Sequence, residues 1–499
     1  MASEQYCSIL HTIKAHAENT PEKLCAGDKK RQVTYREFWL MLQRAASFLR
    51  RSGIGSGTVV SIRACQKLEY LVALLGVQLA GGIACPLEKA IKDLRIIEIM
   101  NFVDSSVCIA EKPVMNASIH NLSLGEVFQQ AENAANDIID FTLPKGPEPS
   151  EILFTTGTTG KSKGIEVSFA TNVCIAQNVL DSVSMASDEV ELITTPASHS
   201  LAIRRVYGAL YNGSSLVLTD GVKFLDDFFE MLDRYQVTAI TFVPAILEQL
   251  LKYGGERFST YKSQLNYIQI GSAPLPETSK KTLSNILGGV RLYNTYGSTE
   301  SACTAILEFS RYPDKKNCIG RLTVNSTILF VDEERNLVEA TPDSPGYLAF
   351  SGGMNMMGYY REPELTAEVL DENGIVYTND LGYCGKDGLI YLLGRKGDVI
   401  NMGGIKVAPT EIEEVAMQCS MVKDCACVPV PDEITGEAIK LFLSLNEECQ
   451  FNQKELTKFL LDRLEALKVP KIYEVIEKIP RTFNGKIVRK ELKERENRQ

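Results

Sequence analysis

The sequence predicts an α/β protein: a large N-terminal domain of layered, mostly parallel sheets with a β-rich, barrel-like subdomain, and a small α+β C-terminal domain. Three observations predict it. Short apolar runs bounded by turn residues (VVSIRA, SSVCIA, ELITTP, SLVLT, TAITFVP, YIQIGS) alternate with helix-like segments at 35–50, 224–235 and 278–287, where apolar residues recur every three or four positions. From about Gly320 the pattern changes to short strands and turns, NSTILFVDEERN, GYLAFSG, GIVYTND and GLIYLLG, which is the β-rich region. After Gly394-Arg395-Lys396-Gly397-Asp398 it changes again, to a helix at 409–418, strands near 425–429 and 440–445, and a helix at 453–467. The boundary therefore falls between residues 396 and 397, and 397–499 is long enough to form a separate lid.

Composition narrows the function classes. The 499 residues are 44% apolar and 23% charged, with 36 Gly and 19 Pro, which excludes disorder, collagen and a coiled-coil rod. Lys plus Arg number 53 against 63 Asp plus Glu, a net charge of -10, so the broad cationic surface needed for nucleic acid is not expected. Thirteen cysteines are odd in number and scattered, so no disulfide framework is expected, and a reducing cytoplasm fits. The start, MASEQYCSIL, carries no signal-peptide pattern. The uncharged stretch 70–87 is the one membrane suspect. Gln78, Gly81-Gly82 and Pro86 interrupt it, so it reads as a buried helix at 71–79 running into a buried strand, and no transmembrane segment is expected.

The most informative segment follows one apolar run: Thr155-Thr156-Gly157-Thr158-Thr159-Gly160-Lys161-Ser162-Lys163-Gly164. Small residues let backbone N–H groups approach a phosphate chain, hydroxyls add donors, and the lysines neutralise its charge. A P-loop fails on one position, because Thr155 stands where its first glycine belongs. A polar surface loop is the bland alternative for this segment alone.

TTGTTGKSKG resembles the phosphate loop of the acyl-adenylate-forming (AMP-binding) superfamily, which includes acyl- and aryl-CoA synthetases. Further motifs in the family's order strengthen the resemblance: Tyr296-Gly297-Ser298-Thr299-Glu300, Tyr377-Thr378-Asn379-Asp380, Gly394-Arg395, and Pro480-Arg481-Thr482-Phe483-Asn484-Gly485-Lys486. The resemblance implies ATP held by Thr155, Thr156, Gly157, Thr158, Thr159, Gly160, Lys161 and Lys163, with Gly271, Ser272, Ala273, Tyr296 and Gly297 beside the nucleotide. Tyr296 then offers a face to adenine, and its alternative is a core aromatic. Thr299 donates to the α-phosphate, and Glu300 supplies a carboxylate for Mg2+. Asp380 accepts the ribose hydroxyls, with Arg395 donating to the same sugar. Lys486 stabilises charge as a carboxylate attacks the α-phosphorus, although a solvated charge is the ordinary reading of any lysine in this basic tail. His199 resembles the gate beside the family's acyl pocket, built with Val243, Pro244, Gly271, Ser272 and Ala273.

The resemblance further implies a mobile C-terminal lid that swivels about Gly397, after which the turn holding Gly403 and Gly404 lines a tunnel for the pantetheine arm of CoA. Ser162 replaces a proline common in the loop, which loosens the turn. No acidic residue lies between Pro196 and Asn212, so an amino-acid substrate is disfavoured. Arg204 and Arg205 read as an exposed pair on a helix; an inward one would favour a second anionic or hydroxyl group on the substrate. No metal cluster or GxGxxG fingerprint is present in the sequence. The expectation is an AMP-forming acid–thiol ligase using ATP, Mg2+ and CoA, with an acyl carrier protein as the alternative acceptor, a catalytically silent nucleotide binder as the rival class, and a homodimer left open.

Overall fold

The computed structural model describes residues 6–496 apart from 117, 134, 136, 137, 156–162, 403–404, 433–434, 448 and 483–484. Two large sheets build the N-terminal part. In the first, Leu24–Gly27, Ser215–Leu218, Val190–Ile193, Ala239–Phe242, Tyr267–Ile270 and Arg291–Ser298 lie side by side and parallel. The β-rich stretch extends this same sheet with antiparallel strands, among them Ala302–Glu308, Ile390–Arg395 and Ile375–Cys384, to thirteen strands among the described residues. The second sheet has seven, with Pro149–Thr155, Ile83–Leu87, Val59–Arg63, Val107–Ala110 and His120–Ser123 parallel and Lys163–Ser168 antiparallel to Pro149–Thr155. A third sheet of five strands, from Ile400–Met402 to Ile472–Val475, stands apart in the C-terminal part.

Parallel strands need both faces covered, and the helices between them supply the cover. The uncharged stretch 70–87 becomes the helix Leu68–Leu79, buried at every residue except Glu69, followed by the buried strand Ile83–Leu87. No described helix is long and apolar enough to cross a membrane. The helix Tyr35–Arg51 starts where the sequence signals it. Thr34 Oγ1 accepts from the Glu37 amide at 3.3 Å while the Glu37 carboxylate accepts from the Thr34 amide at 2.8 Å, a reciprocal cap. The expected helix at 453–467 is interrupted. It ends at Leu461, its last turn tightened by Arg463 N donating to Leu460 O, and resumes as a short 3-10 turn at Ala466–Lys468.

Arg204 and Arg205 overturn the expectation of an exposed pair: both are buried on the helix Ser200–Asn212. Arg205 forms a two-pronged pair with Glu191 of the first sheet, both bonds at 2.6 Å, and also donates to Gln269 Oε1 and the Tyr267 hydroxyl. Arg204 pairs at 2.7 Å with Glu151 of the second sheet. A buried charge is tolerated only when neutralised in place, so the two arginines tie one helix to two sheets. Arg205→Met, which strands the Glu191 carboxylate, is expected to lower stability by about 3–5 kcal/mol. Adding Glu191→Gln should recover most of that loss, as read from urea denaturation midpoints.

Candidate active site

Of the residues expected around a nucleotide, Tyr296, Asp380 and Arg395 come from distant segments and meet. Asp380 on Ile375–Cys384 stands directly opposite Arg395 on Ile390–Arg395. Arg395 Nε donates to Asp380 Oδ1 at 2.9 Å, and the Tyr296 hydroxyl donates to Oδ2 at 2.5 Å. Asp380 is nearly buried, so this carboxylate is oriented from both sides while each oxygen keeps lone-pair capacity for a further donor. The neighbouring Asp380 holds the Arg395 guanidinium above its ordinary range. Burial, with Asp380 adding to it, pushes the Tyr296 hydroxyl up, so it remains a donor. The Tyr296 ring packs 5.9 Å from Phe350, fixed at both ends.

Gly297 follows at a bulge in the strand Arg291–Ser298, where a Cβ would come within 1.6 Å of the Ala302 carbonyl oxygen. Only glycine lets the chain fold this tightly before Thr299 and Glu300. Glu300 Oε1 accepts from the Tyr359 hydroxyl at 2.9 Å, and the Lys163 ammonium lies 4.8 Å from the centre of the Tyr359 ring. Tyr359 therefore links Glu300 to the far end of the Thr/Gly-rich loop. The loop itself joins the antiparallel strands Pro149–Thr155 and Lys163–Ser168, with Thr155 opposite Lys163. A strand rather than a helix follows it, unlike the P-loop arrangement. Thr156, Gly157, Thr158, Thr159, Gly160, Lys161 and Ser162 lie outside the described residues.

His199 is the N-terminal flanking residue of the helix Ser200–Asn212, half-buried. Burial pushes its imidazole below the ordinary range, with Glu88 opposing, so the neutral form is favoured. Its loop is anchored by Gln66, whose amide donates to the carbonyls of Thr195 and Thr219 and whose oxygen accepts from Ala197 N at 2.7 Å. Opposite runs the segment Gly271-Ser272-Ala273. A Cβ on Gly271 would lie 3.3 Å from Leu201 Cδ1, and Ser272 holds a left-handed φ of 73°. Non-glycine residues adopt this conformation at an energetic cost, which clusters at functional sites. Gln269 donates at 2.5 Å to Thr295, next to Tyr296, while accepting from Arg205, so the two walls are joined from behind.

Lys486 reaches this constellation from the C-terminal part. Its turn is held by Thr482 N donating to Lys486 O and by Arg481, which donates to Gly485 O and pairs with Asp424. Gly485 lies against Ala245 of the helix Pro244–Ser259, a contact between the two parts of the chain. The Lys486 side chain remains accessible to solvent, yet surrounding protein and the Arg395 charge push its ammonium below the ordinary lysine range. Asp380 and Glu300 pull in the opposite direction. Gly397 has φ 79° with no atom within 4 Å of a notional Cβ. Gly403 and Gly404 lie outside the described residues. Among the described residues no cluster of three or more metal-type ligands occurs.

Tyr359, Gln66 and Gln269 escaped the reading of the sequence. Gln269 had a signal, a polar residue inside the apolar run YIQIGS; Tyr359 and Gln66 had none that a single sequence exposes.

Comparison with known proteins identifies the family and the fold. The family model for AMP-binding enzyme matches residues 13–360, and that for the AMP-binding enzyme C-terminal domain matches 411–486. The 2-succinylbenzoate–CoA ligase of Bacillus cereus (strain AH820) is 25% identical over 97% of this chain and 97% of its own length. A 4-coumarate–CoA ligase of Narcissus pseudonarcissus is 25% identical over 95% of this chain and 90% of its own. Among solved structures, ATP-bound MatB from Rhodopseudomonas palustris shares the fold with a TM-score of 0.86 at 21% identity, covering 98% of each chain. With the AMP-binding enzyme model matching residues 13–360, well over half of its length, the chain belongs to the AMP-binding enzyme family.

Proposed function

We propose that the chain is an acid–thiol ligase that activates a carboxylic acid with ATP and transfers the acyl group to CoA. One observation carries this reading. Lys486, more than a hundred residues from Asp380 in sequence, lies within electrostatic reach of Arg395, Asp380 and Glu300, so its charge is available to an incoming phosphate chain. The relatives named as CoA ligases support the acceptor.

In the first half-reaction adenine lies against Tyr296, and the ribose hydroxyls donate to the Asp380 oxygens already oriented by Tyr296 and Arg395. The triphosphate runs along residues 155–163. A carboxylate oxygen arriving past His199 bonds to the α-phosphorus as the bond to the β-phosphate breaks, and that electron pair leaves on pyrophosphate. Two anions must meet, and the Lys486 ammonium together with the Thr299 hydroxyl opposes the charge that builds on the α-phosphate oxygens. A neutral His199 avoids trapping the carboxylate as a fixed ion pair. Glu300, a hard oxygen donor beside the loop, fits Mg2+, which would neutralise phosphate charge when bound. In the second half-reaction the thiol sulfur bonds to the acyl carbon, the bond to AMP breaks, and the thiol proton is lost to solvent or phosphate.

Residues 397–499 act as the lid in this reading, swivelling at Gly397 so that Lys486 withdraws and the turn with Gly403 and Gly404 approaches. The thirteen cysteines, odd in number and scattered, suit a reducing cytoplasm. Pyrophosphate release over a panel of aliphatic and aromatic acids, with CoA or a purified carrier protein as acceptor, tests the reading; absence of any CoA thioester would overturn the acceptor.

Lys486→Ala is expected to abolish carboxylate-dependent pyrophosphate exchange while ATP still binds, as checked by isotope exchange and calorimetry. Because the Lys486 ammonium is depressed, its proton is lost before the ordinary lysine value of 10.5 is reached. The alkaline limb of kcat/KM for exchange should therefore fall below that pH, and Lys486→Arg should move it upward. Gly397→Val places a β-branched residue at a left-handed φ that the observed arrangement requires. That strain is expected to slow pyrophosphate exchange about tenfold and to spare thioester formation from supplied acyl-adenylate.

A further inference from the structure

The chain changes its attachments between residues 396 and 398. Lys396 is tied to the N-terminal part: its amide donates to Asn379 O at 2.6 Å and its ammonium pairs with Glu333 at 3.0 Å. One residue on, the partner comes from the far end of the chain. Lys493, on the helix Arg489–Glu496, donates to Gly397 O at 2.5 Å and to Asp398 Oδ1 at 2.9 Å. From the other direction Arg395 O accepts from Asp398 N and Val399 N, both at 2.9 Å.

A peptide unit is planar, so Gly397 O moves with Asp398 N whatever the Gly397 φ and ψ do. A turn of the C-terminal part about Gly397 therefore breaks the two bonds to Arg395 O and keeps both bonds to Lys493. Without Lys493, Asp398 is left to the pull of Arg395 O, and the bend spreads over several residues.

Lys493 stands on a fixed platform. One helical turn before it, Arg489 donates to Cys427 O and pairs with Glu413, and Leu492 is buried in a cluster with Ala426, Val428 and Phe442. Arg481, which holds Gly485 O in the turn before Lys486, pairs with Asp424 on the strand Val422–Asp432 that also carries Cys427. One strand thus seats both the Lys486 turn and the helix of Lys493, and through Lys493 it grips the peptide next to the pivot.

Resting on the ligase reading above, we propose that Lys493 is a positioning residue: it splints the Gly397–Asp398 peptide to the C-terminal part, so that the swivel is confined to the Gly397 torsions and the C-terminal part turns as one body in both half-reactions. Lys493 takes no part in either bond-making step.

The test compares the full chain with Lys493→Met, Lys493→Arg and Asp398→Asn. Lys493→Met is expected to lower kcat for carboxylate-dependent pyrophosphate exchange and for thioester formation from supplied acyl-adenylate alike, each by roughly tenfold, with KM for ATP unchanged, because both steps need a precisely placed C-terminal part. Amide hydrogen exchange at residues 397–399 should quicken by about tenfold in the same variant, with the thermal midpoint unmoved. Lys493→Arg, which keeps the charge and the donors, should restore most of both rates and the amide protection. Asp398→Asn, which leaves the bond to Gly397 O, should show the same pattern at smaller size. Loss confined to one half-reaction, unchanged rates in Lys493→Met, or amide exchange at 397–399 that does not respond to it would overturn the proposal. Absence of acid-dependent exchange in the unmodified chain would instead overturn the ligase reading, while the amide-exchange comparison still decides whether Lys493 holds the pivot peptide.

Discussion

The helix Ser200–Asn212 depends on two neighbouring positive charges being neutralised from opposite directions. Glu191 comes from the thirteen-stranded sheet and Glu151 from the seven-stranded one, and neither glutamate is exposed. Moving either sheet would pull a buried guanidinium from its carboxylate, a cost of several kcal/mol. The geometry that follows is tightly linked. His199 sits at the head of this helix, Glu151 lies on the strand that leads into the Thr/Gly-rich segment, and Arg205 reaches Thr295 through Gln269. The head of this helix, the strand carrying Tyr296 and the base of the Thr/Gly-rich loop thus share one anchor.

The opposite design governs the cleft. There the charges are incompletely balanced: Lys486 lies near both the repelling Arg395 and the attracting Asp380 and Glu300, and burial works against its proton. Such a group gains from a polyanion entering beside it. The contrast between a neutralised interior and an unsettled cleft is what separates scaffold from chemistry in this molecule. Gly397 has open space where a side chain would project, and its carbonyl oxygen accepts from the Lys493 ammonium.

Much of the fold was legible because burial writes itself into apolar pattern. The runs VVSIRA, SLVLT, TAITFVP and YIQIGS are strands because both faces of a parallel sheet must be apolar, and the uncharged stretch 70–87 is the helix and strand that its Gly81-Gly82 break implies. The candidate site was legible through motif order, since Tyr296, Asp380, Arg395 and Lys486 each sit in a local pattern. Arg204 and Arg205 were misread because charge on a helix ordinarily means solvent, and nothing local marks the glutamates that meet them.

By itself the sequence determined the alternation of layers, the change of pattern after Gly320 and again near Gly397, and the family of the chain, because each is encoded within a few tens of residues. Only the tertiary structure decided which carboxylate each arginine meets, that Tyr296 and Arg395 share Asp380, that Tyr359 carries Glu300, and that one edge of Arg204 is left without a partner. Those are pairings between residues separated by tens to hundreds of positions, and electrostatic complementarity acts through space, where no local pattern records it.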